Sequence, residues 1–249
     1  MATKWIFAAV AALTAMLSAC SMATLSGARP VDKGETQVVV APAFQRVGLT
    51  GSARPGGQVE VGGRYGLTDS MDLGVRLWLP LPGYLLDSRI ALKRSPHKDR
   101  GLDIALNPGV AYIFVPGGDT NASPLHFVTS QVALLFGMHL GGGRQLVVGP
   151  KLIDIVSIDG STYGQTLNMV TLGATVGYVM PMTKTFSLVP EIGVGTLVAG
   201  GLTGFGADVG SAGNTLQVSL GLLFGGDKPP EQRCVEVPPL PDAATPAAP

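Results

Sequence analysis

The stretch Gln58-Val59-Glu60-Val61-Gly62-Gly63-Arg64-Tyr65-Gly66-Leu67-Thr68-Asp69-Ser70-Met71-Asp72-Leu73-Gly74-Val75-Arg76-Leu77-Trp78-Leu79 decides the fold. Val59, Val61, Gly63, Tyr65 and Leu67 fall on one side of an extended chain, and Gln58, Glu60, Gly62, Arg64 and Gly66 on the other. After Thr68-Asp69-Ser70 the alternation resumes, with Met71, Leu73, Val75, Leu77 and Leu79 set against Asp72, Gly74, Arg76 and Trp78. A period of two on both sides of a short polar turn is a β-hairpin. Across that turn Arg64 lies diagonal to Asp72, and Glu60 to Arg76, within reach of an ion pair.

The same rule carries outward along the chain. Leu102, Ile104, Leu106, Val110, Tyr112 and Phe114 share a face, as do Val128, Val132, Leu134, Phe136, Met138 and Leu140. So do Leu216, Val218, Leu220, Leu222 and Phe224. Ten strands follow, at about 36–48, 57–67, 71–80, 84–93, 102–115, 126–140, 144–156, 166–180, 185–198 and 214–225, each near the ~9–11 residues that cross a bilayer when tilted. Connections 68–70, 141–143 and 181–184 are tight, whereas those after strands one, five, seven and nine are longer. Two connections depart from this asymmetry, 81–83 being short and 94–101 rather long.

Composition points to a membrane. Charged residues are 14% of the 249, against about 25% in soluble domains, and the mean hydropathy is +0.35. Windows 120–143, 160–183 and 192–207 contain no Asp, Glu, Lys or Arg, yet Gly, Ser, Thr, Asn and Gln interrupt them. They are therefore not transmembrane helices. Seventeen basic residues balance seventeen acidic ones, which gives no electrostatic footprint for nucleic acid.

The first residues form an address: Lys4, an apolar run from Trp5 to Leu17, then small residues. Leu17-Ser18-Ala19-Cys20 resembles a bacterial lipobox. The resemblance implies removal of residues 1–19, a diacylglyceryl thioether on Cys20 and N-acylation of the new terminus. Ser21, in place of the Asp that retains enterobacterial lipoproteins at the inner membrane, favours sorting to the outer membrane. Residues 20–34 are then a lipidated linker, expected to run from the periplasmic leaflet into the first strand. Once Cys20 is acylated only Cys234 remains, which excludes an internal disulfide or a cysteine metal cluster; that thiol is expected to be an unpaired bystander, with pairing between chains as the alternative. Residues 227–249 hold seven of the nineteen prolines and read as a disordered periplasmic tail, with docking to a partner as the alternative.

The two faces of the strands differ chemically. On the face opposite the aliphatic one lie Glu60, Asp72, Asp87, Asp103 and Glu191 with Arg64, Arg76, Arg89, Lys93 and Lys151. Five charges of each sign are expected to form an ion-pair network in a narrow lumen. The aliphatic face carries Tyr65, Tyr84, Tyr112, Tyr178 and Phe186 near strand ends, as an interfacial girdle does. Alternation alone does not tell a barrel from a soluble sandwich turned inside out. The lipobox, the low charge and the hairpin asymmetry decide for an all-β, antiparallel up-and-down transmembrane barrel over 35–226.

Arg64–Gly74 and Leu188-Val189-Pro190-Glu191-Ile192-Gly193-Val194-Gly195 resemble hairpins of the small bacterial outer-membrane β-barrels. Phe224 resembles the end of the signal strand that barrel-assembly machinery reads, although the chain continues past it. The resemblance implies outer-membrane lipid, the barrel-assembly machinery and the lipoprotein-sorting machinery as partners, with both termini periplasmic. Some barrels of this class are rim proteases or lipid A deacylases, so His97, His126 and His139 are the candidates for chemistry. Only His126 falls near the external rim, and no Ser stands two residues after it, that position being Val128. Nucleophile, base and orienting group do not come together. Gly141-Gly142-Gly143 lacks the context of a phosphate loop. No metal and no cofactor beyond the covalent lipid on Cys20 are expected. The sequence therefore predicts a non-enzymatic barrel lipoprotein with a structural or surface-interaction role. A small pore, a rim enzyme and a lipid-tethered soluble domain are its alternatives.

Overall fold

The computed structural model describes residues 22–47, 54–79, 82–97, 99–115, 125–157, 167–202 and 214–225. Residues 1–21 with the expected signal segment and Cys20, the tail with Cys234, and most of the longer loops lie outside them. Ten strands form: β1 (Thr36–Val47), β2 (Arg54–Thr68), β3 (Met71–Leu79), β4 (Gly83–Lys93), β5 (Arg100–Val115), β6 (Leu125–Gly141), β7 (Arg144–Ser157), β8 (Leu167–Pro181), β9 (Phe186–Leu202) and β10 (Asn214–Gly225). Each pairs antiparallel with its sequence neighbours, and β1 pairs with β10 to close the sheet. Closure leaves no unpaired edge, the condition that a sheet must meet in hydrocarbon.

Alternation becomes inside and outside. The burial pattern of β3 and that of β10 repeat every two residues. Val75, Leu79, Leu86, Val110, Leu172, Val194 and Val218 all point outward and are about half exposed. They form an aliphatic belt that, in water, no monomeric protein would carry at this extent. Aromatic side chains bound the belt at both ends. Phe44, Tyr84 and Tyr112 lie at the loop end, while Tyr65, Tyr178 and the stacked pair Phe186–Phe224, 5.1 Å between centroids, lie at the turn end. Among the described residues no helix is long and apolar enough to cross a membrane; the crossing elements are strands.

The connections sort by side. β2–β3, β4–β5, β6–β7 and β8–β9 turn back at the end where β1 begins and β10 finishes. Gly141, Gly142 and Gly143 have φ of 84°, 61° and 74°, so the β6–β7 turn needs three left-handed residues in succession. The other five connections lie at the opposite, loop end.

Two expectations are corrected here. Lys93 does not enter the lumen, because a register shift between Ala91 and Lys93 in the β4–β5 pairing turns it outward, where it is exposed. The segment before β1 is not a tether outside the barrel. From Val31 back to Met22 the chain runs up the inside of the lumen, and Met22, Ala23, Leu25, Ala28 and Val31 are each at most 3% exposed.

Candidate functional site: a peptide-filled lumen

The lumen is built in three tiers, starting at the turn end. There the chain enters the barrel beside Gly66, whose N–H donates to Glu35 O (3.0 Å) while Gly34 N–H donates to Gly66 O (2.8 Å). Asp103 collects donors from three elements: Ser95 N at 2.7 Å, His139 Nε2 at 2.6 Å and Gln145 Nε2 at 3.3 Å. Arg29 lies 3.9 Å from the same carboxylate and donates to Ser95 O at 2.8 Å. A cavity of about 410 Å³ opens here, lined by Gly27, Arg29, Arg89, His139, Gln145 and Lys184 among others.

The middle tier is an ion-pair lattice on β2, β3 and β4. Asp72 accepts Arg64 through Oδ1 (2.6 and 3.0 Å) and Arg89 through Oδ2 (2.6 and 3.0 Å). Arg64 also reaches Asp87 at 2.7 Å, and Arg76 joins Asp87 (3.1 Å) to Glu60 (3.4 Å). Trp78 Nε1–H and Gln58 Nε2–H complete the acceptors of Glu60 at 3.2 and 3.0 Å. A charge removed from water must be paired and fully hydrogen-bonded or it is strongly destabilising. Six of the predicted network residues are paired by contacting one another, although Arg76 Nε has no hydrogen-bond partner. Lys151 is buried on β7, and Glu191 and Asp103 are engaged mainly by other partners.

The partners of Glu191 are the backbone of the threaded segment. An extended peptide inside a barrel has no sheet neighbour, so each of its N–H and C=O groups needs a side chain. The lumen supplies them. Met22 N–H donates to Gln217 Oε1 (2.6 Å), Thr24 N–H to Glu191 Oε1 (2.5 Å), Leu25 N–H to Glu191 Oε2 (2.8 Å), Ala28 N–H to Gln145 Oε1 (2.9 Å) and Val31 N–H to Asp72 Oδ2 (2.8 Å). In return Ala23 O accepts from Arg76 (3.1 Å) and Gly27 O from Arg89 (2.5 Å). Thr24 Oγ1 meets Thr175 Oγ1 at 2.9 Å. Leu25 sits at φ 52°, a left-handed conformation that costs a branched residue free energy and persists only where the surroundings over-determine it. Here its buried side chain packs with Val39, Ala41, Val189 and Leu223, while Ala28 packs with Ala105, Ala133, Leu135 and Val147.

The segment fits because the facing wall lacks side chains. A Cβ on Gly193 would lie 2.9 Å from Met22 Cβ, and one on Gly195 2.6 Å from Met22 Cε. Between Thr24–Ser26 and the arginines Arg64 and Arg76 a space of only about 10 Å³ is left. At the loop end a third tier replaces charge with neutral side chains pointing inward: apolar Trp78, Leu85, Ile113, Phe127, Ile153, Ile155 and Met169 beside polar Gln45, Thr129, Thr215 and Gln217.

The histidines have other surroundings. His126 faces outward at the loop end, its Nδ1 against the Tyr112 hydroxyl and its ring 5.4 Å from Phe114, as part of the aromatic girdle. Asp87 faces the lumen and is held by Arg64 and Arg76. His97 is exposed in the β4–β5 connection. Among the described residues no group of three His, Cys, Asp or Glu is arranged to hold a metal.

No protein-family model and no curated protein matches the chain. Solved structures similar to it include the outer membrane protease OmpT from Escherichia coli, with a TM-score of 0.40 at 9% identity, covering 82% of this chain and 100% of that one. The translocator domain of autotransporter NalP from Neisseria meningitidis has a TM-score of 0.38 at 11% identity, covering 78% and 89%. The outer membrane protein OprG from Pseudomonas aeruginosa has 0.32 at 10%, covering 78% and 95%. These likenesses are of architecture; the case for a membrane-spanning barrel stands on the closed sheet, the outward belt and the girdles.

Proposed function

We propose that the protein is an outer-membrane β-barrel lipoprotein of a Gram-negative envelope, with a structural or surface-interaction role and no reaction of its own. Acylation of Cys20, the sorting implied by Ser21 and a periplasmic tail belong to this proposal. The observation that carries it is the filled lumen. A transport barrel keeps a polar channel open, whereas here the carboxylates Asp72, Asp87 and Glu191 and the guanidinium groups of Arg64 and Arg89 are spent on one another and on the backbone of residues 22–31. That leaves the external loops as the part of the molecule free to meet other molecules.

Planar-bilayer recording tests this. The full chain should give no stable conductance, and a variant lacking residues 22–31 should give discrete steps. Heat-modifiable migration on gels would show that the shortened barrel still folds. Steady open conductance from the full chain would overturn the closed lumen and favour a small pore.

A further inference from the structure

At the turn end the threaded segment fills only one side of the barrel mouth. Val31 N–H is held by Asp72 on β3 and Gly34 N–H by Gly66 on β2, so the chain enters against those strands. β7 and β8 stand opposite them in the ring. The cavity of about 410 Å³ lies toward that opposite side, lined by the β6–β7 and β8–β9 turns and by the turn-end termini of β1 and β10. It ends inside the barrel, where Ala28 packs among Ala105, Ala133, Leu135 and Val147. A water takes up about 30 Å³ in the liquid, so the space accommodates a molecule rather than a single ion.

Three residues of its wall carry buried polar atoms without a hydrogen-bond partner: Arg29 at Nε and Nη1, Gln37 at Oε1 and His139 at Nδ1. The Arg29 side chain is 10% exposed and that of His139 6%. Buried polar atoms are nearly always paired, so each exception calls for a reason. Asp103 lies 3.9 Å from Arg29 Nε, beyond hydrogen-bond reach, and is taken up by the N–H groups of Ser95, His139 and Gln145. A buried guanidinium needs a bonded counter-charge, which water does not bring and an anionic oxygen does. The other two atoms ask for the opposite partner. Gln37 Oε1 only accepts, and a His139 ring that donates through Nε2 to Asp103 keeps, in its neutral form, a lone pair at Nδ1. Both call for hydroxyl donors. Lys184 adds an exposed cation at the mouth, against the one carboxylate among the lining residues, Asp99, which accepts from Gly143 N–H at 3.2 Å. We propose that the turn-end cavity binds a small polyhydroxylated anion, a sugar acid or a sugar phosphate, whose acid group pairs with Arg29 and whose hydroxyls donate to Gln37 and His139. This goes beyond the structural role proposed above, and depends neither on the acylation of Cys20 nor on which side of the membrane the turn end faces.

Calorimetric titration of the full chain tests this, in amine-oxide micelles so that the detergent itself carries no sugar. The probes are glucuronate and glucose 6-phosphate, with glucose, glucosamine and inorganic phosphate as controls. At least one of the two acids should bind saturably, and at least about 10-fold more tightly than every control, as expected for one charge-assisted hydrogen bond. The tighter of the two names the acid group. Arg29→Met should weaken that binding by about 10- to 100-fold, and Gln37→Leu by about 2- to 10-fold. Arg46→Met, on an exposed side chain at the loop end, should leave it unchanged. Heat-modifiable migration shows that each variant is folded; Gln37 lies outside residues 22–31, so its variant reads the cavity without disturbing the threaded segment. No saturable binding of either acid would overturn the proposal, as would an unchanged affinity in folded Gln37→Leu or folded Arg29→Met. Glucose binding as tightly as glucuronate would remove the anion from the site, and inorganic phosphate binding as tightly as glucose 6-phosphate would remove the hydroxyls; either result also overturns it.

Discussion

Replacing Glu191 by Gln isolates the hold of the lumen on its threaded segment. The carboxylate accepts Thr24 N–H at 2.5 Å, Leu25 N–H at 2.8 Å and the Thr24 hydroxyl at 3.1 Å, using both oxygens. Glutamine keeps the shape but offers one acceptor oxygen and an NH2 that confronts a donor. One of the two backbone N–H groups is then buried without an acceptor, a cost of about 1–3 kcal/mol. The equilibrium for local unseating of residues 22–31 should shift by roughly 5- to 150-fold. Hydrogen exchange by mass spectrometry in detergent micelles reads this directly. Peptides covering 22–31 should exchange faster by that factor, whereas β9 and β10, whose ladder bonds are untouched, keep their protection. Unchanged exchange in 22–31, or equal loosening of the whole barrel, would refute the claim that Glu191 acts by holding the segment.

Two further outcomes test the lattice and the belt. Arg64→Met removes the guanidinium shared by Asp72 and Asp87 and leaves buried carboxylates under-compensated, so it should cost about 3–5 kcal/mol, while Lys93→Met on the exposed side of the register shift should change stability by at most about 0.5 kcal/mol; the midpoint of heat-modifiable gel migration measures both. Leu172→Arg, in the middle of the outward belt, should cost about 2–4 kcal/mol in folding titrations into lipid vesicles, and a neutral result would argue that this face is in water.

The strands were legible because the pattern that names them is the one that a bilayer enforces. Val59 to Leu79 alternates without interruption, and observed β2 and β3 begin and end within a few residues of the expected bounds. The pairing of Arg64 with Asp72 and of Glu60 with Arg76 was legible for the same reason, since register across a tight turn fixes diagonal neighbours. Lys93 was misplaced because a bulge breaks parity and leaves no mark in composition. The threaded segment escaped notice because periodicity reports only on regular elements. Its signals were of another kind: Met22, Ala23, Leu25, Ala28 and Val31 are too apolar for a solvated linker, and the inward Gly193 and Gly195 leave room that a charged lumen does not need for itself. The apolar side chains of the third tier were implied by parity, since Ile113, Phe127 and Ile155 alternate with outward neighbours, but they contradict the simple rule of a polar interior.

The closing seam between β1 and β10 imposes an order of events on biogenesis. The threaded residues precede β1 in the chain, and the seam joins the first strand to the last, from Gln37–Gly225 to Val47–Thr215. A seam that closed early would leave residues 22–31 to be threaded into a finished ring. Closing last instead wraps the finished sheet around a segment already laid against β8, β9 and β3. The product is a sheet closed around its own leading segment, as a bead is closed around a string, so that residues 22–31 are held by every wall they touch.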